Sequence, residues 1–189
     1  MIVVRKKVNP LSWHSATTMT NSKFNFDFVE KQVRKKTFGV ISTIDLKSRP
    51  HSTGIIYAVG PPESPFALYC IVGAKYAKVR NIKQNPNISL VVTFPHYWIR
   101  FAPASYVMFR GTAEIVPFDD SDAQWAMSQT RIGRMNLQTE AEDSNKEFVF
   151  IKIIPEPTVF CYGLGHSIME MRGNPSNMGY KVTIPDGRR

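Results

Sequence analysis

From Thr37 onward the hydrophobic pattern leaves helical spacing and becomes a series of short β-favouring runs parted by turn residues, which constrains the fold more than any other feature of the chain. The first run, Phe38-Gly-Val-Ile-Ser-Thr-Ile, meets the second, Arg49-Pro-His-Ser-Thr-Gly-Ile-Ile-Tyr, across Asp45-Leu-Lys-Ser-Arg-Pro, a hairpin connection. Pro50 lies beside that turn, where a missing backbone donor is tolerated. Gly60-Pro-Pro-Glu-Ser-Pro makes a second turn, and strands follow over 66–72, 87–94 and 105–117. A short basic helix from Lys75 to Pro86 interrupts them. Close antiparallel neighbours with short loops and one small helix predict a closed or nearly closed sheet.

On either side the pattern is different. Residues 1–23 are polar and read as an N-terminal arm. Asn25 is placed to cap a helix running to about Lys36, with Phe26, Val29 and Val33 on one face and Arg34, Lys35 and Lys36 at the end favoured by the helix dipole. Pro95 to Ala104 is bracketed by prolines and rich in aromatic residues, so it reads as a loop near a ligand or a subunit contact. Asp119 or Asp120 caps a helix through about Thr130. Residues 131–146 are polar and read as loop, Glu147 to Ile154 as a core strand, and Thr158 to Tyr162 as its continuation beyond two prolines. Nothing periodic follows Gly163, and the tail is expected to be a flexible lid or a packed extension. The domain reading is therefore an arm over 1–23, a barrel domain over 24–162 and an extension of it over 163–189.

Composition narrows the function classes. The chain has 189 residues, 43% hydrophobic and 21% charged, ordinary for one globular domain. Two cysteines far apart, Cys70 and Cys161, give no disulfide framework and no metal pair. The four histidines have no ligand spacing, so no metal is expected. The start lacks the order of a signal peptide and no apolar run approaches about 20 residues, so a cytoplasmic protein without a membrane partner is expected. The net charge of +9 suits nucleic acid, anionic lipid or a phosphorylated ligand. The strands are mainly aliphatic and lack aromatics interleaved with lysine, so nucleic acid ranks last.

The order of the strands, with the run from Lys78 through Asn81 to Asn85-Pro86, resembles the flavin-binding split barrels of the pyridoxamine 5′-phosphate oxidase superfamily over about residues 26–160. The resemblance implies a mainly β protein with flanking helices, a split antiparallel β-barrel that holds FMN, and a homodimer with two sites between chains. FMN-dependent redox chemistry on a small-molecule substrate would follow; a deazaflavin cofactor or non-enzymatic flavin binding are the alternatives. In that pattern Lys78 contacts the flavin phosphate. The serine or threonine often found two residues earlier is here Tyr76, and Lys75, one helical turn from Lys78, would compensate. Residues at Arg49, His51, Ser52 and Thr53 would line the phosphate and the pyrimidine edge; alternation puts Arg49, His51 and Thr53 on one face and Ser52 on the other. Val72 would meet the ring edge. Trp98 would cover the ring or pack a dimer interface, and Ser105 would bond the ring edge, in part from the partner chain. No side chain is singled out as catalytic, because the cofactor carries the chemistry. The tail lacks the tryptophan and paired arginines of a pyridoxamine phosphate oxidase, so oxidation of that substrate is not expected.

Overall fold

The computed structural model describes residues 24–95, 104–142 and 147–189. Trp98 and the rest of the aromatic loop over 96–103 lie outside the described residues. The described strands are β1 (Phe38–Ile44), β2 (Pro50–Ile56), β3 (Ala58–Val59), β4 (Leu68–Gly73), β5 (Asn87–Phe94), β6 (Ser105–Val116), β7 (Phe148–Pro155), β8 (Thr158–Tyr162) and β9 (Gly179–Thr183). Their main path is β2-β1-β5-β6-β7-β4-β3, every pairing antiparallel, with β8 and β9 branching from β6.

The branch has a local cause. Along β6, Tyr106–Met108 pair with β8 while Gly111–Val116 pair with β7. Pro155 and Pro157 end one ladder and open the next, and Glu156 N–H donates to the Arg110 carbonyl between them. The crossing is so close that a Cβ on Gly111 would stand 2.1 Å from the Ile154 carbonyl oxygen. The mainly β, split-barrel architecture implied by the family resemblance is present.

Period-2 alternation sends Ile41, Leu90, Val92, Val107, Phe109, Cys70, Ile151, Ile153 and Cys161 inward to one core. Helix α1 (Phe26–Val33) adds Phe26, Val29 and Val33 to it. Asn25 caps α1 as expected, its side chain accepting from Phe28 N–H at 2.9 Å. The helix stops at Val33 rather than Lys36, where the buried Tyr57 hydroxyl donates to the Val33 carbonyl at 2.8 Å. Helix α2 (Ala77–Gln84) covers the same face through Val79 and Ile82.

Residues 131–142 are a helix, not the loop expected from their polarity. Helix α3 (Ser121–Ser128), capped by Asp120, is followed directly by α4 (Arg131–Glu142); α3 lies over the outer side of β3 and β4, and α4 packs on α3. Helix α3 and the strands bury Tyr69, Ala123, Ala126, Met127 and Phe150, with Leu137 of α4 against them. Few apolar residues in α4 are needed because α3 carries the contact. The tail is packed, too. Helix α5 (Ile168–Gly173) has Ser167 and Glu170 in a reciprocal capping box and leads to β9. Beyond β9, Arg188 donates to Glu30 at 3.1 Å and to the Pro62 carbonyl, and its own carbonyl accepts from Phe66 N–H. No described helix is long and apolar enough to cross a membrane.

Candidate functional site

The sheet path leaves a seam. β3 pairs only with Leu68 and Tyr69, so β4 from Cys70 to Gly73 has no described strand on that edge, and β2 is the terminal strand at the other end of the path. The two edges approach each other. On β2, His51 and Thr53 alternate inward toward Ile55, whereas Ser52 faces outward, its hydroxyl 2.8 Å from Ser42. The Thr53 Oγ1 is buried and has no hydrogen-bond partner, and a buried hydroxyl in that state calls for a physical reason. Val72 is buried on β4 opposite Val149.

At the end of β4 the chain turns at once into α2. Tyr76 N–H donates to the Gly73 carbonyl, and Tyr76 takes the N-cap position without a side-chain cap. The first amides of α2 are thus left to another acceptor. Lys75 lies in this turn, before the helix, so it does not share a helical face with Lys78 as its spacing suggested. Lys78 leans over the Tyr76 ring, 5.6 Å from its centroid. Its charge is felt by Cys70, whose thiol burial pushes up to about 12 while the ammonium pulls it back. Val72, Lys75 and Lys78 are therefore gathered around one turn, with Thr53 on the strand across the seam.

Arg49 is elsewhere. β2 begins at Pro50, and Arg49 belongs to the hairpin, with Ser48 at φ 57°. Its guanidinium grips Asp45 (2.9 Å from Nε and 2.7 Å from Nη2). Asp45 also accepts the backbone N–H groups of Lys47 and Arg49. Arg49 and His51 line a cleft of about 340 Å³ between this hairpin and the α2 stripe Ala77, Arg80, Asn81 and Gln84; Lys75 and Lys78 are not part of its wall. The wish for Arg49, Lys75 and Lys78 to grip one anion together is not met within this geometry.

Ser105 is also remote in the chain. It opens β6, which is a neighbour of neither β2 nor β4 along the sheet path. Its hydroxyl is buried against the Met171 sulfur at 3.8 Å. Sequence reasoning did not single out Lys47, Arg80 or Gln84; the spacing Ala77, Arg80, Asn81, Gln84 was the signal that one helix stripe faces a common space. Among the described residues, no cluster of His, Cys, Asp or Glu has metal-site geometry.

A family model described as pyridoxamine 5′-phosphate oxidase matches residues 27–160, more than two thirds of the chain. The chain belongs to that family. Solved structures agree on the fold. An FMN-binding protein related to pyridoxamine 5′-phosphate oxidase, from Nostoc punctiforme, is 16% identical with a TM-score of 0.55, over 88% of this chain and 98% of that one. The heme storage protein HutZ of Vibrio cholerae is 17% identical with a TM-score of 0.55, over 72% and 94%. A conserved hypothetical protein of Mycobacterium tuberculosis is 18% identical with a TM-score of 0.55, over 74% and 86%. No curated protein matches by sequence.

Proposed function

We propose that this chain binds FMN in the seam between β2 and β4 and serves as a flavin-dependent oxidoreductase for a small molecule. The observation that carries the reading is the buried, unpartnered Thr53 hydroxyl on β2, across the seam from the strand that leads into the Lys75–Lys78 turn, in a member of this family. A phosphate monoester is a dianion and needs cations, hydroxyls and helix-start amides together. Lys75, Lys78, Thr53 and the uncapped start of α2 supply these three kinds of group. The open edge of β4 beside Val72 offers backbone groups to the polar edge of the ring. FMN, when bound, would supply hydride or electron transfer. The chain's own contribution is to neutralise the phosphate, to hold the ring and to keep water from it.

The partner in this reading is a second copy. Outward residues of the sheet form a row of Val40, Val91, Met108 and Phe160, and beside it a row holding Phe38, Ile56, Tyr106 and Tyr162. Phe38 is 53% exposed, and Tyr106 stacks on Tyr162 at 5.5 Å. Such a surface suits the core of an obligate interface. Trp98 would then serve a site completed by the partner, whereas the inward, buried Ser105 would not.

The test is the absorption spectrum of the purified protein with mass analysis of the released cofactor, followed by titration of apo-protein with FMN. Flavin bands are expected. A deazaflavin spectrum, for which the net charge of +9 gives some support through that cofactor's acidic tail, would correct the cofactor; a heme Soret band would overturn the reading. Lys78→Ala is expected to weaken FMN binding by roughly 1.5–3 kcal/mol, the range for hydrogen bonds to charged groups; an unchanged dissociation constant would remove α2 from the phosphate site. Pyridoxamine 5′-phosphate is not the expected substrate. Two cations of the tail are engaged, Arg188 by Glu30 and Arg189 by Asp186 and the Ile184 carbonyl. Turnover of that substrate at about 1 per second or faster would contradict this.

A further inference from the structure

The geometry points to a second anion site in the cleft between the β1–β2 hairpin and α2, distinct from the flavin site proposed above and argued without it. Three cations line it, Lys47, Arg49 and Arg80, against one carboxylate, Asp45. That carboxylate is saturated. It accepts two backbone N–H groups and the Arg49 guanidinium, which holds its carboxyl at about 2. The acid therefore builds the turn and offsets Arg49 alone, leaving Lys47 and Arg80 uncompensated. Arg80 and Lys47 have no ion pair and no side-chain hydrogen bond among the described residues, and the Gln84 amide has none either.

The floor is built rather than incidental. Asn81, 8% exposed, donates from Nδ2 to Thr43 Oγ1 at 3.0 Å, and the fully buried Thr43 hydroxyl donates to the His51 carbonyl at 3.3 Å. These bonds tie α2 to both strands of the hairpin and fix the distance between the cationic walls. Two positive charges remain after Asp45 is counted, and the donors are all side chains that end in N–H. A cleft of about 340 Å³ lies within the range of small-molecule sites. The complementary ligand is a compact organic dianion, a phosphate ester or a dicarboxylate.

Calorimetric titration of the full chain, apo and saturated with FMN, with glycerol 3-phosphate, succinate and acetate tests this. The dianions are expected to bind and acetate not to, with FMN present or absent; the stronger of the two names the ligand chemistry. Arg80→Ala is expected to weaken dianion binding roughly tenfold, one charge-assisted hydrogen bond at an exposed site, and to leave FMN affinity unchanged. Lys78→Ala should do the reverse. Competition between FMN and glycerol 3-phosphate would overturn the proposal by making the cleft the flavin phosphate site. Equal binding of acetate, or indifference to Arg80→Ala, would reduce it to general attraction by a basic protein. If the chain binds no FMN, the flavin reading fails while the apo titration still decides the cleft.

Discussion

Asp45 shows how one side chain decides what its neighbours are free to do. Its carboxyl lies well below the ordinary 3.8, at about 2, chiefly because the Arg49 guanidinium hydrogen-bonds to it and then because the Arg49 and Lys47 backbone groups do. A depressed carboxyl pKa stabilises the fold above its unfolded value and ceases to do so as pH falls through the folded one. The hairpin is thus expected to hold its geometry at pH 4 and to loosen toward about pH 2. Carboxyl chemical shifts followed by NMR should give an Asp45 midpoint near 2. A midpoint near 3.8 would mean that the turn network is not formed in solution. The residue types at this turn were legible in the chain. That Arg49 would pair with Asp45 and face Arg80, rather than Lys78, was not, because its direction depends on where β2 begins.

At the scale of elements, the α3–α4 pair was the largest departure from expectation. The segment 131–142 has a weak apolar stripe, and its helix is held by what surrounds it: Thr130 Oγ1 accepts from Gly133 N–H at 3.0 Å, and Leu137 rests on the cluster built by α3. Gly133 marks the closest approach. An added Cβ would stand 2.1 Å from the Met127 carbonyl and 2.6 Å from Thr130 Oγ1. Glycine to alanine inside a helix ordinarily gains about 1 kcal/mol. Here Gly133→Ala is expected to lose about 1–3 kcal/mol, the cost of forcing atoms into a filled space. Urea denaturation should show a lower midpoint with an unchanged slope. A stabilised variant would mean that the two helices do not meet at this angle. In the tail, Ser167 and Glu170 spelled a capping box that the sequence reading passed over, though β9 offered no comparable signal in its few residues.

For the whole molecule the question is what covers the outward face of the sheet. Its half-exposed valines, methionine and aromatic rings predict a homodimer. Light scattering should give about twice the 21.5 kDa chain mass, and Met108→Glu, which puts a charge in the middle of the apolar row, should yield monomers with weakened FMN binding. A wild-type monomer binding one cofactor per chain would refute the shared site. Alternation, capping and turn chemistry are local, so most barrel strands, the Asn25 cap of α1 and the family were legible in neighbouring residues, and the cap of α3 was narrowed to Asp119 or Asp120. Where the barrel splits, which hydroxyl is left without a partner and which cations share a space were not legible there. Those depend on strand register and on the angle at which α2 crosses the hairpin. Both are fixed by contacts between residues far apart in the chain, such as Asn81 with Thr43.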